Sequence, residues 1–138
     1  MGPRFPAWLR WQTGIRNLDI SNTRINDVLP HWFWVLVSNA SSLDLSRNEL
    51  SGGLPANLEL PFIEEMDLSR NSFTGKLPAN IITSPLKNLL LYNNNFTGPI
   101  PEYVCHILRN KPVKQSTNRG FSTMFRKHFF IANGRLKK

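Results

Sequence analysis

LDLSRNELSGGLP, residues 43–55, decides the fold, because the chain writes the same phrase four times. LDISNTRINDVLP runs from Leu18, MDLSRNSFTGKLP from Met66 and LLLYNNNFTGPIP from Leu89. The closing prolines are Pro30, Pro55, Pro78 and Pro101, with Pro6 closing an earlier partial repeat, and they stand 24, 25, 23 and 23 residues apart. A period of this length belongs to repeats that cannot bury an apolar face alone and must stack on their neighbours.

Each recurrent position has a physical role. Leu18 and Ile20 alternate with Asn17, Asp19 and Ser21, as a short strand with one buried face does. Leu43/Leu45, Met66/Leu68 and Leu89/Leu91 repeat the pattern. Stacking sets these strands side by side as a parallel sheet on the inner curve. Asn48, Asn71 and Asn94 occupy the turn after each strand, where their amides can bond the backbone of neighbouring turns and build a ladder through the stack. Thr23 stands at that place in the first full repeat, so a weaker rung is expected there. Ile25, Leu50, Phe73 and Phe96 return to the core. Gly52, Gly75 and Gly98 suit a turn with unusual backbone angles, and the Leu-Pro or Ile-Pro pair forces an extended exit.

The pattern L-x-L-S-x-N-x-L-[ST]-G-x-[LI]-P resembles the plant-specific class of leucine-rich repeat found in receptor-like kinases, receptor-like proteins and polygalacturonase inhibitors. The resemblance covers residues 2–106. Residues 5–34, FPAWLRWQTGIRNLDISNTRINDVLPHWFW, resemble more narrowly the grass receptor-like proteins related to the xylanase-elicitor receptors. It implies an α/β repeat solenoid with short parallel strands on the concave side and irregular or 3₁₀ turns on the convex side. Partners of this family bind the exposed strand residues of the concave face. By alternation these are Asn17, Asp19 and Ser21; Ser42, Asp44 and Ser46; Glu65, Asp67 and Ser69; and Asn88, Leu90 and Tyr92. The three aspartates fall in one column at roughly the 4.8 Å spacing of strands, which reads as an acidic strip or as ordinary strand-solvating residues. Leu90 and Tyr92 break the column, and tyrosine favours binding hot spots. Trp8, Trp11, Trp32 and Trp34 follow a closing proline and are expected to pack between repeats on the convex side.

The net charge of +8 is an average of two unlike parts. Residues 1–108 hold eight Lys and Arg and all nine Asp and Glu, and residues 109–138 hold nine basic residues and no acid. The repeat stops where the basic tail begins, since Pro112 and Lys114 stand where strand leucines are due. Residues 1–108 are therefore read as four and a half repeats and residues 109–138 as a basic non-repeat tail. Three readings of the tail stand open: a replacement for the repeats of a longer receptor, a polybasic segment for membrane or nucleic acid, or a cap. Phe121, Met124, Phe125, His128, Phe129 and Ala132 share one helical face, so a capping helix is expected over 121–132.

Nothing in the sequence assembles a catalytic or metal constellation. His31, His106 and His128 are far apart, Ser84-Pro85-Leu86-Lys87 lacks the companions its S-x-x-K pattern needs, and Glu64 and Glu65 are strand neighbours facing opposite ways. A single Cys105 closes no internal disulfide and reads as a filler or as one half of a lost pair. No catalytic residue, metal or cofactor is expected. Asn39-Ala40-Ser41 and Asn95-Phe96-Thr97 are glycosylation sequons. MGPRFPAWLR has no apolar leader core, and the longest apolar run, Trp32 to Val37, is far short of the roughly 20 residues of a bilayer span. The resemblance therefore implies a truncated recognition module of a receptor-like protein at the extracellular face of the plasma membrane, perceiving a peptide or protein in defence or signalling, with a co-receptor kinase for the full-length parent. The alternatives are a secreted inhibitor of a cell-wall-degrading enzyme and a basic-tail binder of membrane or nucleic acid. No nucleic-acid partner is expected.

Overall fold

The computed structural model describes residues 2–81, 86–98, 101, 131–132 and 135–136. Four three-residue strands, β1 Asn17–Asp19, β2 Ser42–Asp44, β5 Glu65–Asp67 and β8 Asn88–Leu90, pair in parallel in the order β1-β2-β5-β8. Leu18, Leu43, Met66 and Leu89 stand in register across them. Pairing runs on past the strand ends: Ile20, Leu45 and Leu68 N–H donate to the carbonyls of Asp44, Asp67 and Leu90 at 2.9–3.0 Å. This is the concave sheet of the expected solenoid.

The asparagine turns hold the stack. Asn71 Oδ1 accepts from Leu50 N–H of the previous repeat at 3.0 Å, and its Nδ2 reaches back to Leu45 O at 2.9 Å. The same Nδ2 also faces the carbonyls of its own turn, Leu68 and Ser69, at 3.2 Å. Asn48 repeats this with Ile25 N–H and Ile20 O, and Asn94 with Phe73 N–H and Leu68 O. All three side chains are buried. Thr23 instead bonds its own turn and the next one. Its hydroxyl lies 2.9 Å from both Ile20 O and Asn48 Oδ1 and has one proton for the two.

The apolar positions fill the space between the layers. Leu43, Leu45, Met66, Leu68, Leu89 and Leu91 lie inward from the sheet, and Ile25, Leu50, Phe73 and Phe96 meet them from the turn side. Phe73 and Phe96 stack at 6.1 Å with 11° between their planes. Nearer the start, Phe5 meets Phe33 edge-on at 5.2 Å, and Phe33 meets Trp34 likewise. Asp27 ties this N-terminal stretch down by accepting from Phe5 N–H at 3.1 Å.

Beyond the concave sheet, the layers differ from expectation. Two further parallel sheets are present, β3 Ser51–Gly53 with β6 Ser72–Lys76 and β9 Asn95–Thr97, and β4 Asn57–Leu58 with β7 Asn80–Ile81. Ser51 faces Ser72 and Thr74 faces Asn95, a step of 21 residues, against 23 for Leu43 to Met66 and Met66 to Leu89. The chain thus shifts two residues toward the next repeat after each asparagine, which is how Leu50 N–H comes to meet Asn71. Gly52, Gly75 and Gly98 have φ of +85°, +77° and +87°. Among the described residues the convex side carries a 3₁₀ turn, Ala7–Trp11, and a short helix, α1 Trp32–Leu36.

The tryptophans divide. Trp32 and Trp34 pack against the core, but Trp8 and Trp11 are 63% and 77% exposed, contrary to the packing expected of all four. The reason is local: residues three apart eclipse on a 3₁₀ turn, so inward Leu9 leaves Trp8 and Trp11 together on the outer side. Arg10 covers part of Trp11, its guanidinium 5.6 Å from the ring centre.

The helix expected over 121–132 lies outside the described residues except at its last two positions. Ile131–Ala132 is instead a strand, β10, paired antiparallel with β11, Arg135–Leu136. β10 lies within 8 Å of β8, Cα to Cα. Cys105, His106 and His128 lie outside the described residues.

Two substitutions separate the ladder from the turn. Asn71→Ala strips partners from Leu50 N–H and from buried carbonyls, and at about 1–3 kcal/mol per unsatisfied group it is expected to cost about 3–5 kcal/mol. Gly75→Ala meets no atom within 4 Å of the new methyl, so only the left-handed backbone opposes it, at about 1–2 kcal/mol. Urea unfolding of the full chain measures both, and equal costs would contradict the ranking.

Candidate recognition face

The concave sheet presents three columns. The first is Asn17, Ser42, Glu65 and Asn88, and the second Asp19, Asp44, Asp67 and Leu90. The third, just past the strands, is Ser21, Ser46, Ser69 and Tyr92, where Asn22, Arg47 and Arg70 N–H donate to the carbonyls of Ser46, Ser69 and Tyr92. The columns bring all twelve candidate residues onto one side of one sheet.

The columns are not equally available to a ligand. Each aspartate turns its Oδ1 onto the serine two residues on. Ser21, Ser46 and Ser69 donate their hydroxyls at 2.6 Å and their backbone N–H at 2.9 Å. Ser46 and Ser69 are buried, at 6% and 1% exposure. They therefore belong to the wall of the sheet rather than to its contact surface, a correction to their reading as exposed residues. The alternation that predicts an outward serine holds for a flat strand, whereas here the chain is already bending into the asparagine turn. One oxygen of each aspartate is thereby committed internally.

The aspartate column is electrostatically uneven. The two Ser21 hydrogen bonds hold the Asp19 carboxyl below its ordinary range. Burial pushes Asp67 the other way, against the Ser69 bonds, with Asp44 repelling and Arg47 attracting. The difference follows position, since Asp19 lies on the exposed outer strand and Asp67 is enclosed between two neighbours. Glu64, by contrast, leaves the face and pairs with Lys87 Nζ of the next repeat at 2.6 Å.

Strand alternation does not point to Arg47 and Arg70. They follow the serine column at φ of +58° and +57°, in line with Asn22 at +55° and Asn93 at +57°. Both are exposed, and the Arg70 guanidinium sits 5.9 Å from the centre of the Tyr92 ring. The strip is therefore of mixed charge rather than acidic. The signal that marks them is the variable position in Ser-x-Asn, which lies beside the ladder and outside the strand. At the far end Leu90 and Tyr92 are half-buried and pack on the core. Among the described residues no group of three His, Cys, Asp or Glu is placed to hold a metal ion. No described helix is long and apolar enough to cross a membrane.

A stack of parallel strands joined by asparagine turns, with a one-sided exposed sheet, defines a solenoid binding module. Residues 14–36, 39–60, 62–83 and 85–107 match the leucine-rich-repeat family, more than half of the chain, and the chain belongs to that family. Its repeats are similar to those of plant receptor-like proteins. It is 48% identical over 52 residues to receptor-like protein EIX2 of Solanum lycopersicum, which covers 38% of this chain and 5% of that protein. The fold superposes on the PEPR1–AtPEP1 crystal structure with a TM-score of 0.65 at 29% identity, over 76% of this chain and 15% of that one. It superposes on the Arabidopsis receptor kinase HAESA ectodomain in complex with an IDA peptide hormone with a TM-score of 0.66 at 28% identity, over 77% and 18%. The chain thus spans a small fraction of the length of these relatives. Receptor ectodomains of this fold are non-catalytic, ligand-binding modules.

The opposed shifts predict opposed pH behaviour. Asp67, with its folded value raised above 3.8, binds a proton more tightly folded than unfolded, so its ionisation costs stability as pH rises through the raised value. Asp67→Asn is expected to melt higher than the parent at pH 7, with the gap closing below the ordinary aspartate range. Asp19, with its folded value lowered, contributes stability above 3.8 that is lost as pH falls through the lowered value. Asp19→Asn is expected to melt lower at pH 7 and to converge with the parent in acid. Melting curves from pH 3 to 7 decide, and gaps of the same sign for both variants would contradict the assignment.

Proposed function

We propose that the chain is a recognition segment of a receptor-like protein that acts at the extracellular face of the plant plasma membrane in defence or signalling perception. Its ligand is an extended peptide or a protein loop laid across the concave strands. The observation that carries this reading is the change of chemistry along one face. Asp19 and Asp44 occupy one end, Arg47 and Arg70 flank the middle, and Leu90 and Tyr92 replace the Asp–Ser pair at the other. Such a gradient suits a ligand with a basic group toward Asp19 and an apolar side chain toward Tyr92. Tyrosine and arginine are the residues that concentrate binding energy in interfaces.

The solved relatives support the reading. PEPR1 is seen with AtPEP1 and HAESA with IDA, and HAESA also with IDA and the co-receptor SERK1. A co-receptor kinase is accordingly proposed for the full-length parent, whose partners this short span does not represent by itself.

The test is a displayed-peptide selection against the full chain, followed by calorimetry of the selected peptides on variants. Tyr92→Ala is expected to weaken binding by about 2 kcal/mol, roughly thirtyfold. Asp19→Asn is expected to act only on peptides that carry a basic residue. Peptides that bind unchanged to both variants, or that are competed by substitutions on the convex side, would overturn the proposal.

A further inference from the structure

Asn39 opens the sequon Asn39-Ala40-Ser41 and lies exposed just past the end of α1, with Ala40 behind it fully buried. It lines a convex groove on each side of that helix. The groove toward β4 has a volume of about 520 Å³ and is walled by Trp34, Val35, Pro55 and Leu58, with Asn57 and Glu59 on its rim. That size falls in the range of about 300–1,000 Å³ that small-molecule sites occupy, and the mixture of an apolar wall with a few polar groups is the usual composition of such sites. Val35 is 72% exposed at the mouth. The second sequon differs, since Asn95 is exposed on β9 and lines neither groove.

We propose that Asn39 carries an N-linked glycan whose first N-acetylhexosamine units lie back in the groove between α1 and β4, covering Trp34 and Val35. The transfer requires a polyprenyl-diphosphate-linked oligosaccharide as donor. Asn39 Nδ2 bonds the anomeric carbon, the carbon–oxygen bond to the diphosphate breaks, and the displaced amide proton leaves with the diphosphate. A pyranose ring offers an apolar C–H face and an edge of hydroxyl and acetamido groups. The first suits the apolar face of the Trp34 indole, and the second suits the hydrogen-bonding groups of Asn57 and Glu59. The tether selects this occupant: the side chain that would carry the sugar already forms part of the groove wall. The inference rests on the extracellular reading above, because the donor belongs to the secretory pathway.

The full chain, secreted from a eukaryotic host behind a cleavable leader, provides the test. Glycopeptide mass spectrometry reads occupancy at Asn39 and Asn95, and hydroxyl-radical footprinting compares the glycosylated protein with the same sample after enzymatic deglycosylation. Asn39 is expected to be occupied, and Trp34 and Val35 to oxidise several-fold more slowly with the glycan in place, while Trp8 and Trp11 stay unchanged. An empty Asn39 overturns the proposal, and so does an occupied Asn39 with unaltered rates at Trp34 and Val35. Deglycosylation of the parent needs no substitution, so a variant Asn39→Gln that failed to fold would not block the comparison. Peptide binding measured on the same samples separates the two readings. Tyr92-dependent binding with no protection at Trp34 sinks only this inference, whereas protection at Trp34 without concave binding sinks the recognition function.

Discussion

The hydrogen bonds of Asn48, Asn71 and Asn94 are the constraint on which the rest of the structure depends. Each amide uses both of its ends across a repeat boundary: Oδ1 accepts from the backbone after the previous turn, and Nδ2 returns to a carbonyl before it. Asparagine is the side chain that offers an acceptor and a two-proton donor at this reach. Glutamine would overshoot, aspartate would lose the donor, and threonine, as Thr23 shows, carries one hydroxyl proton for two acceptors. The turn buries backbone groups that secondary structure does not pair, and unpaired groups of that kind are expensive. The rungs therefore make the tight turn affordable, and the tight turn makes the short period possible.

The contact face follows from that turn. Because the chain bends at the asparagine, the serine before it is drawn down, and Ser46 and Ser69 close over the aspartates rather than facing solvent. The residue between serine and asparagine takes the left-handed conformation, which costs an ordinary side chain roughly 1–2 kcal/mol. The stack holds Arg47 and Arg70 there, and both side chains emerge at the border of the sheet. The charge of Arg47 draws on the Asp67 carboxylate against the repulsion of Asp44. A face that is acidic by residue count thus carries basic side chains on its border, at positions whose backbone the ladder constrains.

Legibility in the sequence tracks how local each feature is. The strands, the asparagine turns, the inward column of Ile25, Leu50, Phe73 and Phe96, and the left-handed glycines are fixed by short-range chemistry, and each can be read from thirteen residues. The sheets built from Ser51–Gly53, Ser72–Lys76 and Asn95–Thr97 cannot, because Ser-Gly-Gly has no strand propensity. These segments pair because stacking sets each beside its own copy, so any extended stretch in one repeat finds a partner in the next. Trp8 and Trp11 mislead for a related reason. Size and apolarity suggest burial, but a 3₁₀ turn with Leu9 inward has no second inward position. The candidate face was legible as a set of columns, and what was missed, the burial of the serines and the presence of the arginines, depends on where the strand bends.

The last repeat shows how much of the face is free to vary. Units with the Asp–Ser pair and the unit with Leu90 and Tyr92 keep the same register. Leu68 N–H still meets Leu90 O and Arg70 N–H still meets Tyr92 O, at 2.9 Å each. Asn94 also bonds Leu68 O as its counterparts bond Leu45 O and Ile20 O. Strand end and turn therefore survive the loss of both members of the pair. The pair is thus dispensable for the stack, while the asparagine recurs as Asn48, Asn71 and Asn94 and gives way only to Thr23 in the first full repeat. The scaffold is carried by one column, and the neighbouring columns are left to be written by the ligand.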